Sequence, residues 1–166
     1  RAEGRVVIAM LHQGQEYTYE PSPYAKDRLA FVAEAGANLI VSHHPHVAQG
    51  FGYAGDVLQI HSLGNFAFDS ERLETLWSMI ARVDMRDGQA VGVDALPIYL
   101  EDYRPRVMTS ATSDVLFRRL GEFSTPYGAD ARVEGGRLRV TPQGVGWRDD
   151  DTTISVDVTV PASGQL

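Results

Sequence analysis

The hydrophobic pattern at the start of the chain predicts a strand, a helix and a second strand. Residues 5–11 (RVVIAML) are almost uninterrupted apolar sequence, which is typical of a strand buried on both faces of an α/β sheet. Residues 23–35 show helical spacing, with Ser22 as the cap before Pro23 and Gly36 as the stop. Residues 38–42 form a second short apolar run. This order predicts two parallel strands joined by a right-handed crossover.

The middle of the chain has mostly strand patterns. Residues 57–61 are a third strand candidate. Residues 77–85 and 90–99 are two more, and the Asp-Gly pair at 87–88 between them is a strong hairpin signal. Residues 113–122 then show the spacing of an amphipathic helix, for which Ser113 is the expected cap.

The end of the chain predicts further β-structure. Residues 131–140 fit a hairpin that turns at Gly135-Gly136, and residues 152–160 alternate apolar and polar positions like a half-buried strand. The charged residues 148–151 lack the spaced oxygens and closing Glu of a calcium loop, so we expect them to be a solvated loop without metal.

Composition narrows the functional classes. The 166 residues suffice for a single domain, and we treat 1–166 as one domain with its own hydrophobic core. A net charge of −7 argues against nucleic acid as the partner, and no apolar run is long enough to span a membrane. The absence of cysteine removes thiolate ligands. Because Arg1 is followed almost at once by a strand, we expect the chain to be a piece of a longer or processed protein.

Histidines cluster at the predicted carboxyl edge of the sheet. Three of the five in the chain lie in the segment 42–46 (SHHPH), directly after the second strand, and His12 ends the first strand. Parallel strands put these two ends at one edge, where open α/β folds bind ligands. Neutral imidazole is a common metal ligand, so the pattern favours a metal site. The alternative interpretation is a polar surface loop that happens to be rich in histidine.

Other residues near this edge are weaker candidates. Glu16 follows His12 by four residues and could orient a metal ligand or contact substrate, or be an ordinary surface glutamate. Asn65 is a candidate for a hydrogen bond in the site, although asparagine is common in turns for backbone reasons alone. His61 is interpreted as a packing residue at a strand end. Ser42 and Ser62 adjoin histidines, but neither lies in a nucleophile elbow.

Three motifs in order resemble one protein family. Residues 12–17 (HQGQEY), 35–50 (AGANLIVSHHPHVAQG) and 61–69 (HSLGNFAFD), followed by 96–99 (LPIY) and 104–106 (RPR), resemble the second half of CapA-type capsule-synthesis proteins. These are also called poly-γ-glutamate synthesis proteins, and they belong to the calcineurin-like metallophosphatase superfamily. The resemblance covers about the first three-quarters of the chain and ends near residue 140.

The resemblance implies a layered α/β metallophosphatase-like sandwich with a dinuclear metal centre at the sheet edge. This chain would be the C-terminal half of that fold, with β-hairpins in its own C-terminal part. His12, His44 and His46 resemble metal ligands of the family, with His43, Glu16 and Asn65 as neighbours that bind substrate or orient the ligands. The cofactor would be a divalent transition metal, with two ions of Mn, Fe or Zn in the complete site.

This chain departs from the family pattern in several places. The Asp-x-His, Gly-Asp-x-x-Asp and Gly-Asn-His segments of the superfamily, which supply further ligands and a catalytic acid, are not in it. Ser42 replaces the usual glycine, and Gln13 stands where tryptophan is frequent. An upstream segment or a partner chain would therefore have to complete the fold and the site.

Three functions follow as hypotheses. The first is a metal-dependent phosphoesterase-like hydrolase linked to capsule or poly-γ-glutamate synthesis, with a phosphoester or anionic polymer as substrate. The second is a non-catalytic assembly or polymer-binding component of an envelope polymer synthesis machine. The third is a single zinc ion on three histidines, with its own open position. The resemblance implies the bacterial cell envelope or an extracytoplasmic location, and a cytoplasmic location stays open.

Overall fold

The chain folds into two β-sheets and two α-helices over residues 5–109, 111–148 and 154–158, which are the residues that this computed structural model describes. The first sheet has the order β1-β2-β4-β3. Its strands are β1 (Ile8–His12), β2 (Leu39–His43), β3 (Phe51–Ala54) and β4 (Val57–Ile60), with helix α1 (Pro23–Glu34) between β1 and β2.

The second sheet is antiparallel, with the order β10-β5-β6-β9-β8 and with β7 paired to β6. Its strands are β5 (Trp77–Arg86), β6 (Gln89–Glu101), β7 (Arg104–Val107), β8 (Ala129–Glu134), β9 (Arg137–Pro142) and β10 (Ile154–Val158). Helix α2 (Ala111–Ser124) connects β7 to β8 through a short 3₁₀ turn. The prediction of a layered α/β fold with β-hairpins toward the C-terminus is confirmed.

Local sequence explains the ends of α1. The Ser22 side chain accepts a hydrogen bond from the Ala25 amide at 3.3 Å, and Pro23 takes the first helical position. Gly36 follows the helix with a φ of +105°, a left-handed conformation that glycine adopts without a Cβ clash. The predicted helix 23–35 is therefore confirmed to within one residue.

The main core lies between the two sheets because β2 alternates its apolar side chains. Leu39 and Val41 belong to a cluster with residues of β5, β6 and α2, whereas Ile40 points to the other face and packs with Leu29 of α1. All three β2 residues are fully buried. Helix α1 thus covers one face of the first sheet, and the second sheet covers the other.

The predicted connectivity is confirmed in its main features. Strands β1 and β2 are parallel, and β5 and β6 form a hairpin that turns at 87–88. The second hairpin, β8–β9, turns at 135–136 as expected. Part of the predicted strand 152–160 is observed as β10, and the rest of that range lies outside the described residues. Residues 149–151 of the charged loop also lie outside the described residues.

The local structure differs from the prediction in two places. Ser113 does not cap α2, because the helix already includes Ala111 and the buried Ser113 lies within its first turn. Strand β3 was not predicted, and it pairs with β4 through a turn at Gly55.

Within the part of the chain that the structure describes, β1 is an edge strand, and the expectation that it is buried on both faces was wrong. Ala9 and Leu11 pack against the α1 side of the sheet, but Ile8 and Met10 are 40% and 47% exposed. Ile8 pairs in register with Leu39, so it lies on the face that the second sheet covers at β2. That cover does not extend as far as β1. Within the described ranges, no helix is both long and apolar enough to cross a lipid bilayer.

His61 directly follows β4, and it is almost fully buried, as expected for a packing residue. Its ring meets the Tyr127 ring edge-on at 4.8 Å between centroids, and neither ring nitrogen has a hydrogen-bond partner among the described residues. Burial, with a smaller contribution from Lys26, lowers the pKa of His61 from 6.5 to about 4. The protein therefore folds with a neutral imidazole at this position.

We expect His61→Phe to reduce the acid sensitivity of the fold. The pKa of His61 is about 4 in the folded protein and near 6.5 when unfolded, so the unfolded chain binds the extra proton between these values. As the pH falls from 6.5 towards 4, protonation of His61 in the unfolded chain lowers the free energy of unfolding by about 3 kcal/mol in total. Urea unfolding at several pH values measures the effect, and the wild-type and variant curves should diverge only below pH 6.5. Parallel curves would contradict this assignment.

Candidate metal centre

Parallel pairing of β1 with β2 brings the two histidine segments together. His12 and His43 are partners in the strand register, so their side chains leave the same face of the sheet at its carboxyl edge. Their ring centroids are 4.9 Å apart, and the His12 ring is 4.6 Å from that of His44. The predicted convergence of His12 with the histidine cluster is thus present in the fold.

A strained turn carries the next two histidines. His44 has a φ of +108° and His46 a φ of +62°, both in the left-handed region that residues with a Cβ rarely adopt. Such a conformation costs on the order of 1–3 kcal/mol per residue and persists only where surrounding contacts impose it. The turn directs both imidazoles back over the sheet edge, with ring centroids 6.0 Å apart.

The loop after β1 holds this turn in place. The Gln13 amide donates to the carbonyl of His43 at 3.0 Å, and the Tyr17 amide donates to the carbonyl of Pro45 at 2.8 Å. Gly14 lies so close to Pro45 that a Cβ there would be 3.2 Å from the proline ring. The two segments therefore form one rigid unit, which supports the unusual backbone of the turn.

Three side chains in this unit can offer ligand atoms to one metal ion. One ligand atom from each of Glu16, His44 and His46 lies within 4.8 Å of the other two. Two imidazoles and a carboxylate suit a borderline divalent ion such as zinc, manganese or iron. The donor set therefore fits the metal that the family resemblance implies.

Asn65 sets the tautomer of His46. The Asn65 side-chain amide donates from Nδ2 to the Thr75 carbonyl at 3.4 Å, which turns its Oδ1 toward His46. Because Oδ1 is an acceptor, His46 donates to it from Nδ1 at 2.9 Å. The proton is then on Nδ1, and the lone pair of Nε2 is available to a metal. The His46 ring also contacts the rings of Tyr17 and Phe68, at 6.0 and 4.9 Å between centroids.

The cluster favours neutral imidazoles. Burial lowers the pKa of His43 first, and the neighbouring His12 and His44 lower it further. Burial and His12 also lower the pKa of His44, against an opposing effect of Glu16. Neutral imidazole is the form that binds metal, so the lowered pKa of His44 favours the form in which it can be a ligand.

Two residues that differ from the family pattern are in contact with each other. Gln13, which stands where tryptophan is frequent, donates from Nε2 to the Oγ of Ser42, which stands in place of glycine, at 3.4 Å. Both side chains are buried. The two replacements therefore form a polar pair behind the histidine turn, where each satisfies part of the hydrogen-bonding need of the other.

The structure places all six predicted site residues at this edge. Of these, His44, His46 and Glu16 form the three-ligand group, and Asn65 supports it. His12 contacts the His43 and His44 rings, and its role as a metal ligand stays a prediction. Sequence reasoning missed two contributors, Tyr17 and Phe68, whose rings contact that of His46. Both residues lay within quoted motifs, but nothing in the sequence indicated this contact.

Comparisons with known proteins agree with the order of the motifs. Residues 1–70 match the family model described as "Bacterial capsule synthesis protein PGA_cap", and this range contains all six predicted site residues. The capsule biosynthesis protein CapA of Bacillus anthracis is 35% identical over 106 residues, which cover 64% of this chain and 26% of that protein. The PGA biosynthesis protein CapA of Bacillus subtilis is 29% identical over 100 residues, 60% of this chain and 26% of that protein. The chain thus spans about a quarter of the length of both relatives.

We expect Asn65→Leu to weaken metal binding by about 10- to 100-fold, because loss of a hydrogen bond that orients a ligand histidine has effects of this size. Calorimetric titration with Zn²⁺ or Mn²⁺ measures the affinity, and Asn65→Asp, which keeps an acceptor oxygen, should retain most of it. Nitrogen NMR of the metal-free protein gives an independent readout, since His46 should lose its preference for the Nδ1–H tautomer only in the leucine variant. Unchanged affinity and tautomer in that variant would disprove the role.

Proposed function

We propose that this chain, whose segment 1–70 matches the CapA-type capsule-synthesis family, is the metal-binding part of a phosphoesterase-like hydrolase linked to capsule or poly-γ-glutamate synthesis. The observation that carries the proposal is the three-ligand group of Glu16, His44 and His46 at the carboxyl edge of a parallel sheet. A bound divalent ion would supply a Lewis acid and a water of lowered pKa for attack on a phosphoester.

The chain's own residues would hold and orient that centre. His44 and His46 are the proposed nitrogen ligands, and the hydrogen bond from His46 to Asn65 keeps Nε2 directed to the ion. Glu16 is exposed and belongs to the same group, which supports a role as a ligand in addition to the predicted contact with substrate. His12 is the proposed first ligand of a second ion, since its ring adjoins that of His44.

The complete site would need a further segment. We propose that the 166 residues form one domain that is the C-terminal portion of a longer metallophosphatase-like domain. The exposed apolar face of β1 supports this, because Ile8 and Met10 lie on the inter-sheet face without cover among the described residues. An upstream segment or a partner chain that packs there would also lie beside His12, where it could supply the bridging carboxylate and catalytic acid.

A non-catalytic role is the second candidate. Glu16 is the single carboxylate in the ligand group of the described residues, whereas a two-metal site normally has a bridging carboxylate and further ligands. A component that binds an anionic polymer without hydrolysing it would keep the fold and the histidines. The relatives' names refer to capsule and PGA biosynthesis, and either role would place the protein at the bacterial cell envelope.

We expect full-length protein to bind divalent metal, and His44→Ala or His46→Ala to lower that affinity at least 100-fold. Glu16→Gln, which keeps the size of the side chain but removes its charge, should lower it about 10-fold if Glu16 is a ligand. Inductively coupled plasma analysis gives the metal content and calorimetry the affinity. His61→Phe is the matched control, because His61 lies outside the group. Full-length protein without metal, or unchanged binding in the histidine variants, would rule out the site.

Hydrolysis of bis(p-nitrophenyl) phosphate by the metal-loaded full-length protein separates the two candidates. Activity that is lost in His44→Ala and His46→Ala supports the hydrolase. Metal binding without activity on this or other phosphoesters supports the non-catalytic component.

We also expect Met10→Lys to destabilise the full-length protein by about 1–3 kcal/mol, because a charge would be buried where another segment covers β1. Phe31→Lys is the matched control: Phe31 is 70% exposed on α1, and its replacement should change stability by less than about 0.5 kcal/mol. Thermal or urea unfolding measures both. Equal, small effects of the two substitutions would show that β1 stays exposed.

A further inference from the structure

Arg72 lies beside the proposed metal centre without taking part in it. Its guanidinium carbon is 4.0 Å from the centre of the Tyr17 ring, and that ring in turn stacks on His46 at 6.0 Å. The side chain is about half exposed and also pairs with Glu74 at 2.8 Å. A cation is thus held flat at the rim of the site, with N–H groups available to a ligand.

A groove begins next to this arginine. Leu73 is 77% exposed, which is unusual for a large apolar side chain, and together with Trp77 it lines two adjoining cavities of about 370 and 570 Å³. The smaller cavity also contacts Tyr19, and the larger one Tyr99. We call this pair of cavities with Arg72 the arginine groove. Its volume holds several units of amino-acid or sugar size.

Each cavity has its own arginine and its own tyrosine. Arg119 lies 4.9 Å from the ring of Tyr19 and lines the smaller cavity. Arg106 lines the larger cavity, where it is the cross-strand neighbour of Tyr99. The combination of flat aromatic surface with planar cations suits a ligand that alternates apolar stretches with anionic groups.

Two glutamates line the same cavities, but they do not cancel the preference of the cavities for a ligand with anionic groups. Glu74 pairs with Arg72, and Glu101 pairs with Arg106 at 3.3 Å. Both ion pairs are solvent-exposed, and such pairs contribute little, so an anionic ligand can replace the glutamate with small loss. The two cavities are lined by two arginines and two glutamates, and Arg72 at their rim adds one further positive charge in a chain whose net charge is −7.

We propose that the arginine groove binds a linear polyanion, a chain of carboxylate or phosphate repeats, and leads it to the metal centre. Arg72 contacts the anionic unit next to the one at the metal, and Arg119 and Arg106 contact later units. This deepens the proposed function, since it assigns the residues that select the polymer. Binding of the polyanion by the groove does not require the proposed metal function. Only the claim that the polymer runs toward the metal centre rests on that function.

Fluorescence anisotropy with labelled oligomers in the presence of EDTA tests the groove without the metal. Full-length wild-type protein should bind a glutamate decamer or a polyphosphate of similar charge, and the tighter of the two identifies the repeat chemistry. The double variant Arg72→Gln/Arg119→Gln should lose about ten-fold in affinity for it. Arg28→Gln is the matched control, since Arg28 also lies on a tyrosine ring, that of Tyr24, but lines neither cavity.

Three outcomes would overturn the proposal. The first is unchanged affinity in the double variant, and the second is an equal loss in Arg28→Gln. The third is equally tight binding of a glutamine decamer, which would make the groove a site for neutral peptide. Metal affinity of the double variant, measured separately, should equal that of the wild type, so failure of the metal site and failure of the groove give different results.

Discussion

The site depends on the parallel pairing of β1 with β2. The pairing places His12 and His43 side by side, and it fixes where the loops that follow both strands begin. Two backbone hydrogen bonds then join these loops, so the left-handed turn at His44 and His46 has a fixed support. A slip of one residue in this register would turn His12 to the opposite face of the sheet and separate the histidines.

The histidine turn shows how conformational strain and chemistry are linked. Backbone conformations of this kind cost free energy, and here the turn places two imidazoles beside the carboxylate of Glu16. A third strand contributes as well, because the segment after β4 brings Asn65 to the far side of His46. The imidazole is therefore oriented from several parts of the fold, as expected for a preorganised metal ligand.

The surfaces around the centre suggest how it would work within a larger protein. Strand β1 leaves apolar side chains on the face that elsewhere forms the core, and the chain spans about a quarter of its curated relatives. The arginine groove begins at the Tyr17 side of the same centre. On the two proposals above, one surface would receive the segment that completes the site, and the other would receive the polymer that the site acts on or holds.

Local sequence determined the parts of this protein that depend on short-range physics. The helix α1, the two glycine-turn hairpins and the carboxyl edge with its histidines follow from capping, turn chemistry and apolar periodicity, which act over a few residues. Tertiary structure alone decided that β1 is an exposed edge, that Glu16 joins His44 and His46, and that Arg72 stacks on Tyr17. These features depend on contacts between segments far apart in the chain, and hydrophobic periodicity contains no information about which segment covers which.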